Sequence, residues 1–386
     1  MSRDRPFDRP QDRAASARRP GSADPTMART AHQPAGQNLV HAADHNLRVT
    51  LEALRRNGPM SRLDLARVTG LTVPGITNIV RRLEADGLVA EEAGQAGARA
   101  NRFAIVPDGA VSLGVDIAGG RASLVAIDLA GRVVLRDAVA VDGDDPVPAV
   151  VALASRALET LARREGSRVL GVGLTAAGGI EAVRAALAPL PVIVEADTIA
   201  AALGERQFGV AAADDSFVYV LLGPSTRAGM IIGGAVFNGA EHQAGRLGAM
   251  RTGEDGRPLD EVLATAALDG RDPADPAVER WLEDASAHLM DSLIAISAFL
   301  APRVIFVGGR LPAALLDALV ERLGARRLER MIEPTQPYWL PELRRGTLDE
   351  DAVLLGIAAM PFLEFLLPDP RRPFRPPSMA VSGSAA

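Results

Sequence analysis

The sequence predicts an α/β protein, with a small helical head followed by a larger body. Apolar residues between positions 41 and 106 recur mostly at helical spacing, whereas residues 112–366 alternate β-rich runs with helical patterns. A chain of 386 residues has room for two or three domains, and its hydrophobic content of 48% is ample for buried cores.

The composition excludes cysteine chemistry and indicates the cellular compartment. The chain has no cysteine, so it forms no disulfide and has neither a thiol nucleophile nor a cysteine-bound zinc. Its apolar runs fall short of the roughly 18 residues that a membrane-spanning helix needs. The arginine-rich N-terminus lacks the apolar core of a secretory signal, and Met27 is an alternative start. We expect a cytoplasmic protein.

Charge is divided unevenly along the chain. Residues 1–106 carry a net charge of +5 and residues 107–386 a net charge of −11. A basic head on an acidic body suits a head that binds a polyanion. The boundaries we predict are a disordered tail over 1–40, a head over 41–108, a body over 109–367 and a Pro-rich disordered tail over 368–386.

The head begins with two predicted helices. Three leucines share one face of the first at i, i+4 and i+7: Leu47, Leu51 and Leu54. Gly58 ends this helix. Ser61 is a good N-cap for a short second helix, and Asp64 complements the helix start. Leu65 and Val68 are expected to face inward.

A tight turn at Gly70 leads to a third helix. Thr72 is its predicted N-cap, and Pro74 is tolerated in its first turn. Its apolar side is formed by Ile76, Ile79, Val80 and Leu83, and its polar side by Pro74, Thr77, Asn78 and Arg81. Two short helices joined by a glycine-containing turn predict a helix-turn-helix.

The segments "LVAEE", "AGQAGA" and "RANRFAIV" after Gly87 predict a β-hairpin wing. The expected DNA-binding residues are Ser61, Arg62, Thr72, Pro74, Thr77, Asn78, Arg81, Arg82, Arg99 and Arg102. Thr77 and Asn78 would reach base edges, Arg81 and Arg82 phosphate or guanine, and Arg99 the minor groove. The alternative is a small helical domain used for protein contacts.

The body opens with "SLGVDIAGGRASLVAIDLAGRVVLRDAVAV", which predicts three strands with tight turns at Gly119–Gly120 and Gly131. Four further motifs follow: "LGVGLTAAGGIE", "PVIVEADTIAAALGE", "FVYVLLGPSTRAGMIIGGAVFNGAEHQAGRLGA" and "PRVIFVGGRLP". In this order after a winged helix-turn-helix, they resemble the ROK family (repressors, open reading frames and kinases). The repressor branch, which includes the N-acetylglucosamine and xylose repressors, is the most similar.

The resemblance implies a bilobal actin-like fold made of two ribonuclease-H-like halves, with a small lobe over about 109–205 and a large lobe over about 206–367. In active family members the cleft between the lobes binds a hexose and ATP. Asp197 matches the family's catalytic base, although a plain first-turn aspartate is an equal interpretation, and Glu261 lies near a family sugar-binding glutamate.

Several family motifs are altered in this chain. The second phosphate loop is a glycine-rich run in the family but reads "GPSTRAG" here, so Pro224 removes a backbone donor and Arg227 adds bulk. The family's Glu-x-Gly-His motif has become Arg246-Leu247-Gly248-Ala249, and His242 nearby cannot hold a metal alone. We therefore expect neither kinase activity nor a metal or cofactor. The expected ligand contacts are Asp197, His242, Arg246 and Glu261.

We expect a transcriptional repressor of carbohydrate-related genes that reads a double-stranded operator as a homodimer or higher homo-oligomer. The degenerate body would serve dimerisation and the sensing of a sugar-like effector. Two alternatives remain: a sugar kinase that carries a DNA-binding head, and a ligand-independent DNA-binding or interaction protein.

Overall fold

The computed structural model describes residues 39–92, 101–164, 168–175, 178–265, 275–332 and 339–372. Residues 1–38 of the predicted N-terminal tail lie outside this part, as do residues 93–100 at the predicted tip of the wing. Within the described ranges, none of the helices combines the length and the apolar character needed to cross a membrane.

The head is a three-helix unit with a small antiparallel sheet. Its elements are α1 (Leu39–Asn57), β1 (Met60–Ser61), α2 (Arg62–Thr69), α3 (Val73–Ala85), β2 (Val89–Glu92) and β3 (Arg102–Ile105). The strand order is β1-β3-β2, so the predicted hairpin is present. Leu65 is buried as predicted, but the prediction for Val68 is wrong, since 56% of Val68 is exposed. An eight-residue helix presents only a narrow stripe to the core, and here Leu65 occupies it.

The first half of the body is built on a five-stranded sheet. Its elements are β4 (Val111–Ala118), β5 (Arg121–Asp128), β6 (Val133–Ala140), α4 (Val147–Leu161), β7 (Val169–Thr175), α5 (Ile180–Leu187), β8 (Val192–Glu195) and α6 (Asp197–Phe208). The order is β6-β5-β4-β7-β8, with β4 antiparallel to β5 and parallel to β7. The three strands predicted from the opening motif are confirmed.

The second half repeats this topology. Its elements are β9 (Phe217–Leu222), β10 (Arg227–Ile232), β11 (Ala235–Val236), β12 (Arg251–Thr252), β13 (Arg257–Pro258), α7 (Leu259–Val262), α8 (Pro276–Leu300), β14 (Val304–Gly309), α9 (Ala313–Met331), β15 (Glu342–Arg345) and α10 (Asp351–Phe365). The sheet order is β11-β10-β9-β14-β15. Strand β9 is antiparallel to β10 and parallel to β14, just as β4 is antiparallel to β5 and parallel to β7. Two copies of one sheet topology give the predicted bilobal, ribonuclease-H-like architecture.

Helices α6 and α10 pack against each other at backbone contact. A Cβ atom at Gly356 would lie 1.7 Å from the carbonyl oxygen of Ala200, and one at Gly204 would lie 2.2 Å from that of Ala352. Glycine is therefore required at both positions. The core around these helices is continuous with that of the head, because Leu51 and Phe103 belong to the same buried cluster as Phe362.

The predicted C-terminal tail is ordered at its start. Residues 368–372 lie against the body, where the Arg371 guanidinium pairs with Glu364 at 3.1 Å and with Asp369 at 2.9 Å. The backbone N–H of Val236 also donates to the carbonyl of Pro370. Composition alone does not indicate the pair with Glu364, because Glu364 lies in α10, outside the predicted tail. Residues 373–386 lie outside the described part.

Candidate nucleic-acid interface and ligand cleft

Helix α3 presents a polar face that its buried face holds in place. Ile76, Val80 and Leu83 are fully buried, whereas Asn78 and Arg81 are exposed. The Thr72 hydroxyl accepts a hydrogen bond from the backbone N–H of Gly75 at 3.3 Å, so the predicted N-cap is confirmed. An anchored helix with an exposed polar side is the arrangement by which a helix-turn-helix enters the major groove.

Both ends of α2, its start at Ser61 and the turn at Gly70 that leads to α3, are fixed by local chemistry. The Ser61 hydroxyl accepts from the backbone N–H of Asp64 at 3.2 Å and donates to its carboxylate at 2.7 Å. Gly70 has a φ of 71°, a conformation that glycine adopts without strain. The turn that positions α3 is therefore encoded by a few adjacent residues.

The arginines predicted to contact DNA lie in different environments. The Arg62 guanidinium stacks on the Phe103 ring, 4.4 Å from its centroid, which supports the head's own packing. Arg102 donates to the carbonyl of Pro59. Arg82 is exposed and lies 3.6 Å from the Asp44 carboxylate. Arg99 lies outside the described residues.

The head is joined to the body through α1. Arg48 donates to the main-chain carbonyls of Leu363, Glu364 and Leu367 at 3.1, 2.9 and 3.2 Å, at the C-terminal end of α10. A cation at this end of a helix satisfies carbonyls that have no partner within the helix. Sequence analysis missed this role of Arg48, because its partners lie more than 300 residues away, the separation from Leu363 being 315.

A second contact joins α1 to α6. Arg55 bridges from Glu52, at 2.7 Å, to the side-chain amide of Gln207 near the end of α6. Burial alone would raise the pKa of the Glu52 carboxyl, but its hydrogen bonds and ion pairs with Arg55 and Arg56 hold that pKa below its usual value. The body thus contacts the head through a charged cluster as well as through apolar packing.

A polar cavity of about 310 Å³ lies beside the N-terminus of α6. It is lined by His242 and Arg246, two of the four predicted ligand contacts, and by Arg227 and Glu195. Asp197 and Glu261 are not among the lining residues. Asp197 is the first residue of α6, and its carboxylate accepts from the N–H of Thr198 at 2.8 Å.

The loop that would be the second phosphate loop is occupied by a carboxylate. Asp260 accepts from the backbone N–H of Thr226 at 2.6 Å and from the hydroxyl of Ser225 at 3.0 Å. A Cβ atom at Gly248 would lie 2.0 Å from the same carboxylate. The negative charge of Asp260 therefore stands where a phosphate would need backbone donors, and no local pattern in the sequence marked this residue.

The cleft also contains an ion pair between the two sheets. Arg310, directly after β14, donates to Asp116 on β4 at 2.7 Å. The second carboxylate oxygen of Asp116 is buried without a hydrogen-bond partner in the described part of the structure. Burial raises the pKa of the Asp116 carboxyl, and the charge of Arg310 opposes that shift. In the described ranges, no three histidine or acidic side chains converge as a metal site would require.

Two family models match the chain. Residues 44–90 match winged helix-turn-helix DNA-binding domains, and residues 184–261 match the ROK family. A ROK family transcriptional regulator described as a homologue of the Escherichia coli MLC protein has a similar structure, with a TM-score of 0.67 at 19% identity over 86% of this chain and 98% of that one. Sugar kinases are also among the solved structures with this body fold.

Two curated relatives extend the comparison. An uncharacterized protein, y4fQ of Sinorhizobium fredii, is 29% identical over 74% of this chain and 83% of its own length. The xylose repressor of Bacillus subtilis is 23% identical over 53% of this chain and 60% of its own length. A winged helix-turn-helix on a duplicated actin-like body defines a DNA-binding regulator. The chain combines these two matches, winged helix-turn-helix at residues 44–90 and ROK at residues 184–261, which is the combination of a ROK-type regulator.

Proposed function

We propose that the chain is a sequence-specific DNA-binding repressor of carbohydrate-related genes. The observation that carries the proposal is α3, whose exposed Asn78 and Arg81 lie opposite a fully buried face. Asn78 would read a base edge in the major groove, and Arg81 would bind phosphate or guanine. The similarity to the xylose repressor supports the sign of regulation and the class of genes.

The remaining head residues take supporting roles in this proposal. Thr72 and Pro74 start the recognition helix. Thr77 would reach a base edge, and Arg82 would bind phosphate or guanine. Ser61, Arg62 and Arg102 hold the second helix and the wing, and Arg99 would follow the minor groove from the wing. A homodimer in the cytoplasm would present two such heads to a roughly palindromic operator.

The body, in this proposal, carries out no phosphoryl transfer. Transfer from ATP depends on positioning and on electrostatic stabilisation of the phosphates. The backbone N–H of Thr226 already donates to the Asp260 carboxylate, and Pro224 in the same loop has no backbone N–H to donate. Arg310 pairs with Asp116 in the cleft. These contacts argue against phosphate binding, and in this proposal the body serves assembly and ligand sensing instead.

The test is a pull-down of fragmented genomic DNA on the full-length protein, followed by sequencing. Near-physiological salt suppresses non-specific phosphate binding. The expected result is one shared, roughly palindromic motif, which the Asn78→Ala variant enriches only in a form relaxed at one base pair of each half-site. Recovery of no motif, or of the same motif by the variant, would overturn the proposed function.

A further inference from the structure

The start of the C-terminal tail contacts both halves of the body. Residues 368–372, which we call the strap, follow shortly after α10. In the first half, the Glu195 carboxylate at the end of β8 lies 3.7 Å from the guanidinium of Arg371. In the second half, the backbone N–H of Val236 in β11 donates to the carbonyl of Pro370 at 2.9 Å. Two adjacent residues of the strap therefore connect the two halves.

The contact with the first half is a largely buried ion cluster. Three carboxylates surround the Arg371 guanidinium, namely Asp369 at 2.9 Å, Glu364 at 3.1 Å and Glu195 at 3.7 Å. The side chains of Arg371, Glu195 and Asp369 are 14%, 12% and 5% exposed. Removal of the cation from such a cluster leaves carboxylates that repel one another where water solvates them poorly. Arg371 is therefore the residue on which this end of the strap depends.

The contact with the second half uses an edge of the sheet. Strand β11 is at one edge of the second sheet, where it pairs with β10. An edge strand presents backbone N–H groups that need acceptors from outside the sheet. The strap supplies one of these acceptors to Val236, and Pro370, which provides it, is buried.

The strap has a local structure that keeps its two contacts together. The Asp369 carboxylate accepts from both the backbone N–H and the Nε of Arg371, each at 2.9 Å. The backbone N–H of Arg372 donates to the carbonyl of Asp369 at 3.0 Å. An aspartate that accepts from the backbone two residues on forms a tight turn. The turn fixes Pro370 relative to Arg371, so a shift at one contact is passed to the other.

We propose that the strap is a conformational lock, which fixes the separation of the two halves and releases it when Arg371 leaves its carboxylates. A ligand or partner that changes this separation must supply the free energy needed to displace the strap. The consequence for DNA binding rests on the regulatory function proposed above, whereas the effect on the body does not.

The test measures attachment of the strap and separation of the halves independently. Amide exchange at Val236 reports attachment, because its N–H donates to the strap. The chain has no cysteine, so Glu159→Cys/Glu321→Cys places spin labels only at these exposed positions of α4 and α9. Pulsed electron spin resonance between the labels reports the separation of the halves.

The variants, each made with and without the label sites, are Arg371→Gln and a chain that ends at Leu367. The matched control is Arg372→Gln. Arg372 is the next residue along the chain and also pairs with Glu364, at 2.8 Å, but its side chain is 74% exposed. The control therefore removes an arginine from the same segment while Arg371 stays among its three carboxylates.

We expect Arg371→Gln and the shortened chain to exchange the Val236 amide at least about tenfold faster than the wild type. Both should also shift or broaden the distribution of label distances, whereas Arg372→Gln should match the wild type in both measurements. Faster exchange with an unchanged distance distribution overturns the proposal, because the strap then does not hold the halves. Unchanged exchange in Arg371→Gln, or equal effects of Arg371→Gln and Arg372→Gln, also overturns it.

Neither measurement involves DNA, so the lock and the proposed function fail separately. A negative result here leaves the enrichment of a DNA motif unaffected. Failure of the wild type to enrich any motif contradicts the proposed function but leaves the effect of Arg371→Gln on the body to be measured in the same way.

Discussion

The guanidinium of Arg310 lies 2.7 Å from the carboxylate of Asp116, joining the second sheet of the body to the first. The Arg310 side chain is 27% exposed and that of Asp116 is 11% exposed, so this is a largely buried ion pair across the cleft. Such a pair costs most when one partner is removed, because the other charge remains buried.

Replacing Arg310 is expected to destabilise the protein in a pH-dependent way. Because the folded-state pKa of Asp116 is raised, this group favours folding at low pH, and that contribution is lost as pH rises through the folded pKa. Arg310→Met raises that pKa further. We expect a loss of about 3 kcal/mol at pH 8 and a smaller loss at pH 5.

Urea unfolding at the two pH values measures this effect. Asp116→Asn/Arg310→Met is the control, because it removes both charges and is expected to recover part of the loss at pH 8. An equal loss at both pH values would show that the ion pair does not govern the stability of the cleft.

Arg48→Ala is expected to loosen the head from the body. The variant loses three hydrogen bonds to the end of α10, for a destabilisation of about 2 kcal/mol. Amide hydrogen exchange in α1 should accelerate more than exchange in β4. Arg67→Ala, an exposed arginine of α2, is the control, and equal exchange in the two variants would refute the coupling.

The Glu52 cluster predicts an acid-dependent contact between α1 and α6. The pKa of Glu52 is lowered, so its contribution to stability is present above its unfolded pKa of about 4.3 and is lost as pH falls through the folded value. Glu52→Gln should cost about 1 to 2 kcal/mol at pH 7 and progressively less below pH ~4. Glu91→Gln, exposed on β2, should match the wild type at both pH values. A constant loss across this range would contradict the assignment.

The altered phosphate loop predicts no sugar phosphorylation. With ATP, magnesium and a hexose, product formation by the wild type should equal that of Asp197→Asn, because Asp260 and Pro224 leave the loop without its phosphate donors. A coupled assay of ADP release measures this. Turnover in the wild type that disappears in Asp197→Asn would restore the kinase interpretation.

Sequence reasoning succeeded where the determinants are close together in the chain. The Ser61 and Thr72 caps and the turn at Gly70 each depend on contacts within three residues, and all three are present. It failed where charges meet through the tertiary fold. Arg310 is 194 residues from Asp116, and neither the spacing nor the composition of either segment indicates the partner.

The candidate ligand contacts likewise include features that the sequence shows and features that only the tertiary fold shows. The loss of the glycine-rich loop can be read directly from the sequence, but the backbone hydrogen bonds that join Ala228 to Gly245 and Gly248 to Thr226 cannot. Asp197 is a predicted ligand contact because it matches a family motif. In the structure its carboxylate caps the N–H of Thr198 beside the cavity rather than lining it.

The central claim is that α3 reads DNA sequence, and a binding titration tests it most directly. Fluorescence anisotropy would compare wild type and Asn78→Ala on the enriched operator, on each of its single-base variants and on unrelated DNA, over a range of salt concentrations. We expect Asn78→Ala to lose about 1–3 kcal/mol of discrimination at one base pair of each half-site. Its binding to unrelated DNA and its salt dependence should be unchanged. If Asn78→Ala discriminates every base pair as the wild type does, α3 is not the reading helix.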